Sequence, residues 1–242
     1  MIEARHLSKR FGAVVAVRDA SFTARDGQIT GILGPNGAGK STCLRILYGV
    51  LAADQGRALI DGIDMRLDAS ARTRLGVLPH GAALYGNLTA RENIRYFGAL
   101  QRIETPSLEG RIEELSRLLG MEEFIDRRAK GFSQGQRIKV ALARALVHDP
   151  RNIVLDEPTN GLDVMAIRGL RAMLLDLKRQ GRCVLFSSHV MQEVAALCDR
   201  VVIIGHGTVL ADEPTEQLRE RSGGASLEDI FLKVLSNAGA VG

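Results

Sequence analysis

The run Gly34-Pro35-Asn36-Gly37-Ala38-Gly39-Lys40-Ser41 carries the densest chemical signal in the chain. It satisfies G-x-x-x-x-G-K-[ST] in full and lies between a strand-like and a helix-like stretch, the context that gives this spacing meaning. Glycines let successive backbone N–H groups converge on phosphate oxygens. The N-terminus of the following helix adds the positive end of its dipole. Lys40 is expected to reach the β- and γ-phosphates of a nucleotide and the Ser41 hydroxyl to ligate Mg2+, with Thr42 in the same nucleotide-binding set. Further along, the run from Asn152 to Leu155 leads into Asp156 and Glu157. An acid at the end of a buried strand is costly unless it meets a cation. Asp156 is therefore read as a Mg2+ partner, through water, and Glu157 as the group that orients or deprotonates an attacking water. The plain alternative for this pair is an Asp-Glu-Pro turn leaving a strand.

These residues need a scaffold that brings distant segments together. Short strands are expected over Ile2 to Leu7, Val14 to Ala24 and Gln28 to Leu33, separated by the turn signals Phe11-Gly12 and Asp26-Gly27. The pattern becomes helical from Lys40 to Val50, then strand-like at Arg57 to Ile60 and Arg74 to Leu78. Asn87 to Leu119 reads mainly as helix, with Thr89 and Glu92 spaced as a capping box and Pro106 breaking the run. A further helix is expected over Gln134 to His148 and another over Met165 to Arg179. Ile153 to Leu155 and Cys183 to Phe186 read as buried parallel strands. Val201 to Ile204 and Thr208 to Ala211 flank Gly205-His206-Gly207 as a hairpin, and a short helix over Leu227 to Leu235 follows a polar turn from about Ser222. Strands alternating with helices predict an α/β fold with a largely parallel sheet. The domain expectation is one unit over 1–222, with a helical insertion at about 87–150, and a tail over 223–242.

With 242 residues the chain has room for one large domain or two small ones. The net charge of +4 is spread among interspersed charges. That suits a phosphate ligand or an anionic membrane face and is too weak to argue for nucleic acid. No run approaches the roughly 20 apolar residues needed to span a bilayer, and the first ten residues lack a signal peptide's apolar core. Cys43, Cys183 and Cys198 form no CxxC pair and read as small buried hydrophobes.

The phosphate loop and the Asp156-Glu157 strand establish a P-loop nucleotidase without saying which kind. Phe132-Ser133-Gln134-Gly135-Gln136 discriminates. It resembles the L-S-G-G-Q signature of the ATP-binding cassette (ABC) family, matching at Ser133, Gly135 and Gln136 and departing at Gln134. The plain alternative for Ser133 is an ordinary N-cap. Asn160-Gly161-Leu162-Asp163 resembles the family's D-loop, and Ser187-Ser188-His189 its switch histidine. Phe11 stands where the family has an aromatic that stacks on adenine; core packing is the alternative. Pro79-His80 replaces the usual Pro-Gln, so a metal contact by His80 competes with a solvated loop histidine. The resemblance runs from about Ile2 to Asp212. Single-cassette subunits of ABC-2-type exporters are the nearest in character, on Ser226 to Leu232, and within them the sodium-exporter (Nat-type) cassettes, on Leu88 to Ile94 and Phe132 to Gln136.

The resemblance implies an RecA-like P-loop core with an N-terminal antiparallel β subdomain and an inserted helical subdomain. It implies an ATPase using ATP and Mg2+, with Glu157, His189 and Lys40 catalytic. Gly34 to Thr42, Phe11 and the signature residues would bind nucleotide, and Ser41, Asp156 and His80 the metal. It further implies a head-to-tail dimer with a second cassette, a separate transmembrane permease, no nucleic-acid partner, and a cytoplasmic place on the inner membrane face. A cassette acting on ribosomes or DNA is the alternative; the chain lacks the fused second cassette or long coiled-coil insertion such members carry. A module that binds ATP without turnover is disfavoured by the presence of Lys40, Asp156, Glu157 and His189.

Overall fold

A computed structural model of the chain describes residues 1–81, 83–221 and 226–239. Its first sheet is antiparallel. β1 (Ile2–Phe11) pairs with β2 (Val14–Ala24) on one side. On the other it pairs with β4 (Gln55–Ile60), which turns back into the two-residue β5 (Ile63–Asp64). The second sheet holds β3 (Ile29–Leu33), β6 (Leu75–Leu78), β7 (Asn152–Asp156), β8 (Cys183–Ser188) and β9 (Arg200–Gly205), all parallel, with β10 (Thr208–Pro214) antiparallel at one edge. Its strand order is β10-β9-β3-β8-β7-β6.

Period-two alternation explains why this second sheet is buried on both faces. Ile32, Val154, Leu185 and Val202 point into a core shared with the antiparallel sheet and with Cys43, Leu44 and Leu47 of α1 (Lys40–Leu47). Their neighbours Leu33, Ile153, Leu155, Phe186 and Ile203 point into a second core. That second core is closed by α3 (Ala90–Leu100), α4 (Thr105–Leu118), α5 (Gln134–Leu146), α6 (Val164–Arg179) and α7 (Met191–Leu197). Leu218 of α8 (Thr215–Arg221) and Leu227, Ile230 and Phe231 of α9 (Leu227–Gly239) also belong to it. One further turn of helix, α2 (Ser70–Thr73), precedes β6.

The architecture is the expected α/β one: a largely parallel sheet, an antiparallel β layer, and helices inserted between β6 and β7. Several details differ from the sequence reading. The long helical stretch divides at residues 101–104, and Pro106 sits in the first turn of α4, where its missing N–H has no intrahelical partner to lose. β5, α2, α7 and α8 were not expected; each is seven residues or shorter, too short for its period to stand out. α9 runs four residues beyond Leu235, to Gly239. The polar turn expected from Ser222, and the boundary between 222 and 223, lie outside the described residues.

Candidate functional site

Three segments meet because β3, β8 and β7 are adjacent and parallel, so their carboxyl ends lie side by side. The phosphate loop leaves β3, Ser187 and Ser188 end β8, and Asp156 ends β7; Leu33 is level with Ser188, and Ser187 with Asp156. Crevices at the carboxyl ends of parallel strands are where α/β sheets bind ligands.

The loop enters α1 through Gly39 at φ 104°, and a Cβ there would lie 2.4 Å from the Ala16 carbonyl oxygen, so only glycine fits. No side chain caps α1, and its first turn holds no acid. Its leading N–H groups have no intrahelical acceptor and border a cleft of about 530 Å3. Asn36 through Thr42, Ala16, His80, Glu157, Asn160 and His189 line that cleft. Lys40 is 5% exposed, and its Nζ donates to the Gly34 and Pro35 carbonyls at 2.7 and 3.2 Å. Burial pushes this ammonium below the ordinary lysine range, against the opposing pull of Glu157 and Asp156.

Asp156 is 2% exposed and held on one side only. Ser187 Oγ donates to its Oδ1 at 2.7 Å and Ser41 Oγ at 3.2 Å. Its other oxygen, Oδ2, is buried with no partner. A buried, unsatisfied carboxylate oxygen beside a hydroxyl is the donor set a hard cation prefers. Among the described residues no three His, Cys, Asp or Glu side chains cluster as a metal cage. A cation here would therefore share its ligands with water and phosphate, as Mg2+ does.

Ser187 also accepts the Glu157 N–H at 3.0 Å, tying the two acids to one hydroxyl. Glu157 has φ 51°, in the left-handed region that costs a non-glycine residue about 1 kcal/mol or more. The surrounding contacts hold it there. His189 Nδ1 lies 2.9 Å from Glu157 Oε2. An ionised carboxylate only accepts, so Nδ1 carries the proton in this bond and the ring orientation is set. Behind the site, buried Glu193 accepts from Thr159 Oγ1 at 2.8 Å and Ser188 Oγ at 3.2 Å, bracing the loops after β7 and β8.

Not every expected residue joins this cleft. Ser133, Gly135 and Gln136 line a separate cavity of about 490 Å3, bordered by Leu118, Leu162 and Met165, which shares no residue with the phosphate cleft. There Ser133 caps α5 in a reciprocal box with Gln136: Ser133 Oγ accepts from Gln136 N at 3.2 Å, and Gln136 Oε1 accepts from Ser133 N at 3.0 Å. Phe132 is buried against Phe124 at 5.3 Å and anchors the segment. Phe11 does not line the cleft; its ring is 48% exposed at the end of β1, with Lys9 Nζ 5.7 Å from its centre. His80 is exposed and lines both the cleft and a smaller cavity reaching Asp156. Sequence reasoning missed Ala16, the bridge made by Ser187, and Glu193. A polar residue inside a fully buried strand was the available signal for Ser187.

A family model described as ABC transporter matches residues 17–160. The ABC transporter ATP-binding protein NatA of Bacillus subtilis (strain 168) is 44% identical over 241 residues, covering 97% of this chain and 98% of that protein. The Nod factor export ATP-binding protein I of Burkholderia lata is 36% identical over 231 residues, covering 95% of this chain and 76% of that protein. Among solved structures, the dimeric cassette MJ0796 in a post-hydrolysis state bound to ADP and Pi superposes with a TM-score of 0.82 at 26% identity, over 89% of this chain and 99% of that one.

Proposed function

Because the chain belongs to the ABC transporter family, among its ATP-binding and ATP-hydrolysing subunits of exporter type, we propose that its cleft hydrolyses Mg-ATP by the following division of labour. The backbone N–H groups of residues 36–42 and Lys40 hold and orient the phosphates. Ser41 and the free oxygen of Asp156 hold Mg2+, which when bound offsets the charge on the transferred phosphoryl group. Glu157 accepts the proton of the attacking water. His189 orients the Glu157 carboxylate and borders the space of the γ-phosphate. Phe11 offers a half-exposed ring for adenine to stack on, and His80 stands where it can reach the metal's water shell.

The observation that carries this reading is the chain of hydrogen bonds from Ser41 through Asp156 and Ser187 to Glu157 and His189, set beside an uncapped helix N-terminus. Ser133, Gly135 and Gln136 serve the nucleotide of a second copy in a head-to-tail dimer. A separate permease docks around residues 80–88 and the inserted helices, which holds the cassette at the inner membrane face. Sodium efflux is the activity that the Nat-type resemblance supports, and nucleic acid is not a partner.

Glu157→Gln tests the catalytic assignment. It is expected to bind ATP normally, to hydrolyse it roughly 10²–10⁴-fold more slowly, and to accumulate an ATP-bound dimer on gel filtration. Wild-type turnover in this variant would sink the assignment. Detergent co-purification with a membrane subunit, followed by sodium efflux from vesicles loaded with the complex, tests the rest.

A further inference from the structure

Three of the six arginines on α3, α4 and α5 are neutralised by carboxylates. Arg91 pairs with Glu113 and Asp126, Arg95 with Glu109, and Arg111 with Glu114 and Asp149. Arg117 and Arg137 carry no ion pair and donate to the Glu113 and Phe132 carbonyls; Arg144 is set apart from them by its burial. Among the described residues no carboxylate lies within ion-pair distance of it. Its Nη1 donates to the Ala83 carbonyl at 2.7 Å, its Nε is buried with no acceptor, and its guanidinium lies 3.7 Å from the centre of the Phe97 ring. The ring face compensates part of the lost hydration, yet burial still holds this guanidinium below the ordinary arginine range.

Arg144 lines a cavity of about 170 Å3 between β6 and the helical layer, together with Val77, Pro79, Phe97, Gln101 and His148. His148 spends one ring nitrogen on the Leu75 carbonyl at 3.2 Å, and its Nδ1 is buried without a partner. The cavity therefore has no acid in its lining, and two of its polar side chains, Arg144 and His148, each keep a buried nitrogen without a partner. Near it, Tyr85, Tyr96 and Leu100 are 50%, 45% and 61% exposed, with Tyr85 and Tyr96 edge to face at 5.3 Å. An apolar and aromatic margin around a partly desolvated, unpaired cation is the surface an interface anchor fits.

We propose that this cavity receives a carboxylate side chain, an Asp or Glu flanked by apolar residues on a cytosolic segment of the membrane subunit, which ion-pairs with Arg144. The proposal rests on the transporter reading above and adds the chemistry of the contact. The cavity is too small for a nucleotide. Charge complementarity selects the occupant: the pair would satisfy donors that the isolated chain leaves unused, while the flanking apolar residues cover the tyrosines and Leu100.

The test uses the full chain and its co-expressed membrane subunit in detergent. Arg144→Glu is expected to weaken their association roughly 30-fold or more, while ATP binding by the isolated chain stays unchanged. Charge reversal of one acidic residue in the membrane subunit, Asp or Glu to Lys, is expected to restore it. If Arg144→Glu does not fold, Arg144→Gln takes its place, with a loss of about tenfold expected. Association equal to wild type in whichever variant folds overturns the proposal and leaves the transporter reading intact. So does a loss that no single acid-to-Lys change in the membrane subunit repairs. Failure of the wild-type chain to associate at all overturns both.

Discussion

Two helix N-termini in this molecule each carry a serine and a glycine and are built in opposite ways. α1 begins at Gly39-Lys40-Ser41 with no capping side chain, over a cleft whose acids are already linked to one another. α5 begins at Ser133-Gln134-Gly135-Gln136 with a closed capping box, exposed on the far side of a mainly apolar cavity. The first leaves its leading N–H groups open to the cleft. The second satisfies part of its own end and keeps only the Ser133 hydroxyl proton and the glycine approach for something outside. Both helix ends are proposed above as anion sites, and their surroundings differ: one opens on the phosphate cleft, the other on a separate cavity.

The comparison breaks most sharply at the first site. Lys40→Ala or Asp156→Asn is expected to cut the Mg-ATP hydrolysis rate by about 10²–10³-fold or more, since each removes charge stabilisation that nothing else in the cleft replaces. Steady-state turnover of either variant near wild type would mean that the built-in cleft is not where the chemistry happens.

At the second site the expected loss is in trans. Ser133→Arg should lower turnover about a hundredfold while leaving ATP affinity within about twofold, because Ser133 lies outside the chain's own phosphate cleft. Mixing it with Lys40→Ala should recover roughly one working site per heterodimer. Mixed dimers shown to form yet to have no activity would mean that the two helix ends do not serve one nucleotide.

A smaller effect is expected where the two regions touch. Gly161, at φ 75°, packs against Gln134; a Cβ on it would lie 2.9 Å from Gln134 Cγ. Gly161→Ala should cost about 1–3 kcal/mol from backbone strain and crowding together. Adding Gln134→Gly should return only the crowding part. Thermal unfolding of the single and double variants separates the two contributions, and full recovery in the double variant would show that backbone strain plays no part.

The smallest effect is expected at His80, which borders the first site without being locked into it. Imidazole nitrogen suits softer divalent ions better than it suits Mg2+. His80→Gln should keep Mg2+-supported turnover within about threefold and lower the ratio of Mn2+- to Mg2+-supported rates a few-fold. Unchanged rates in both metals would leave His80 as a solvated loop residue.

Much of this was legible in the chain because short-range rules govern it. The phosphate loop, the acid pair after an apolar strand and the Thr89–Glu92 capping box are each written within a dozen residues. The same rules misplaced or missed what is short. α7 and α8 are seven residues each, and the break between α3 and α4 falls at residues 101–104, before the proline that signals it.

Which residues share a cleft is a different kind of fact. Lys40, Asp156 and His189 meet because strands far apart in sequence, β3, β7 and β8, are neighbours in one parallel sheet. Ser133 lies closer to Asp156 in sequence than Lys40 does, yet it opens on a different cavity. Ser187 became the bridge between two acids only through the register that sets it opposite Asp156. The sequence by itself determined which groups have the right chemistry, since that is a property of side chains and local backbone. Only the tertiary structure decided which of them lie together, because strand order and register are set by burying both faces of one sheet, an outcome of the whole chain.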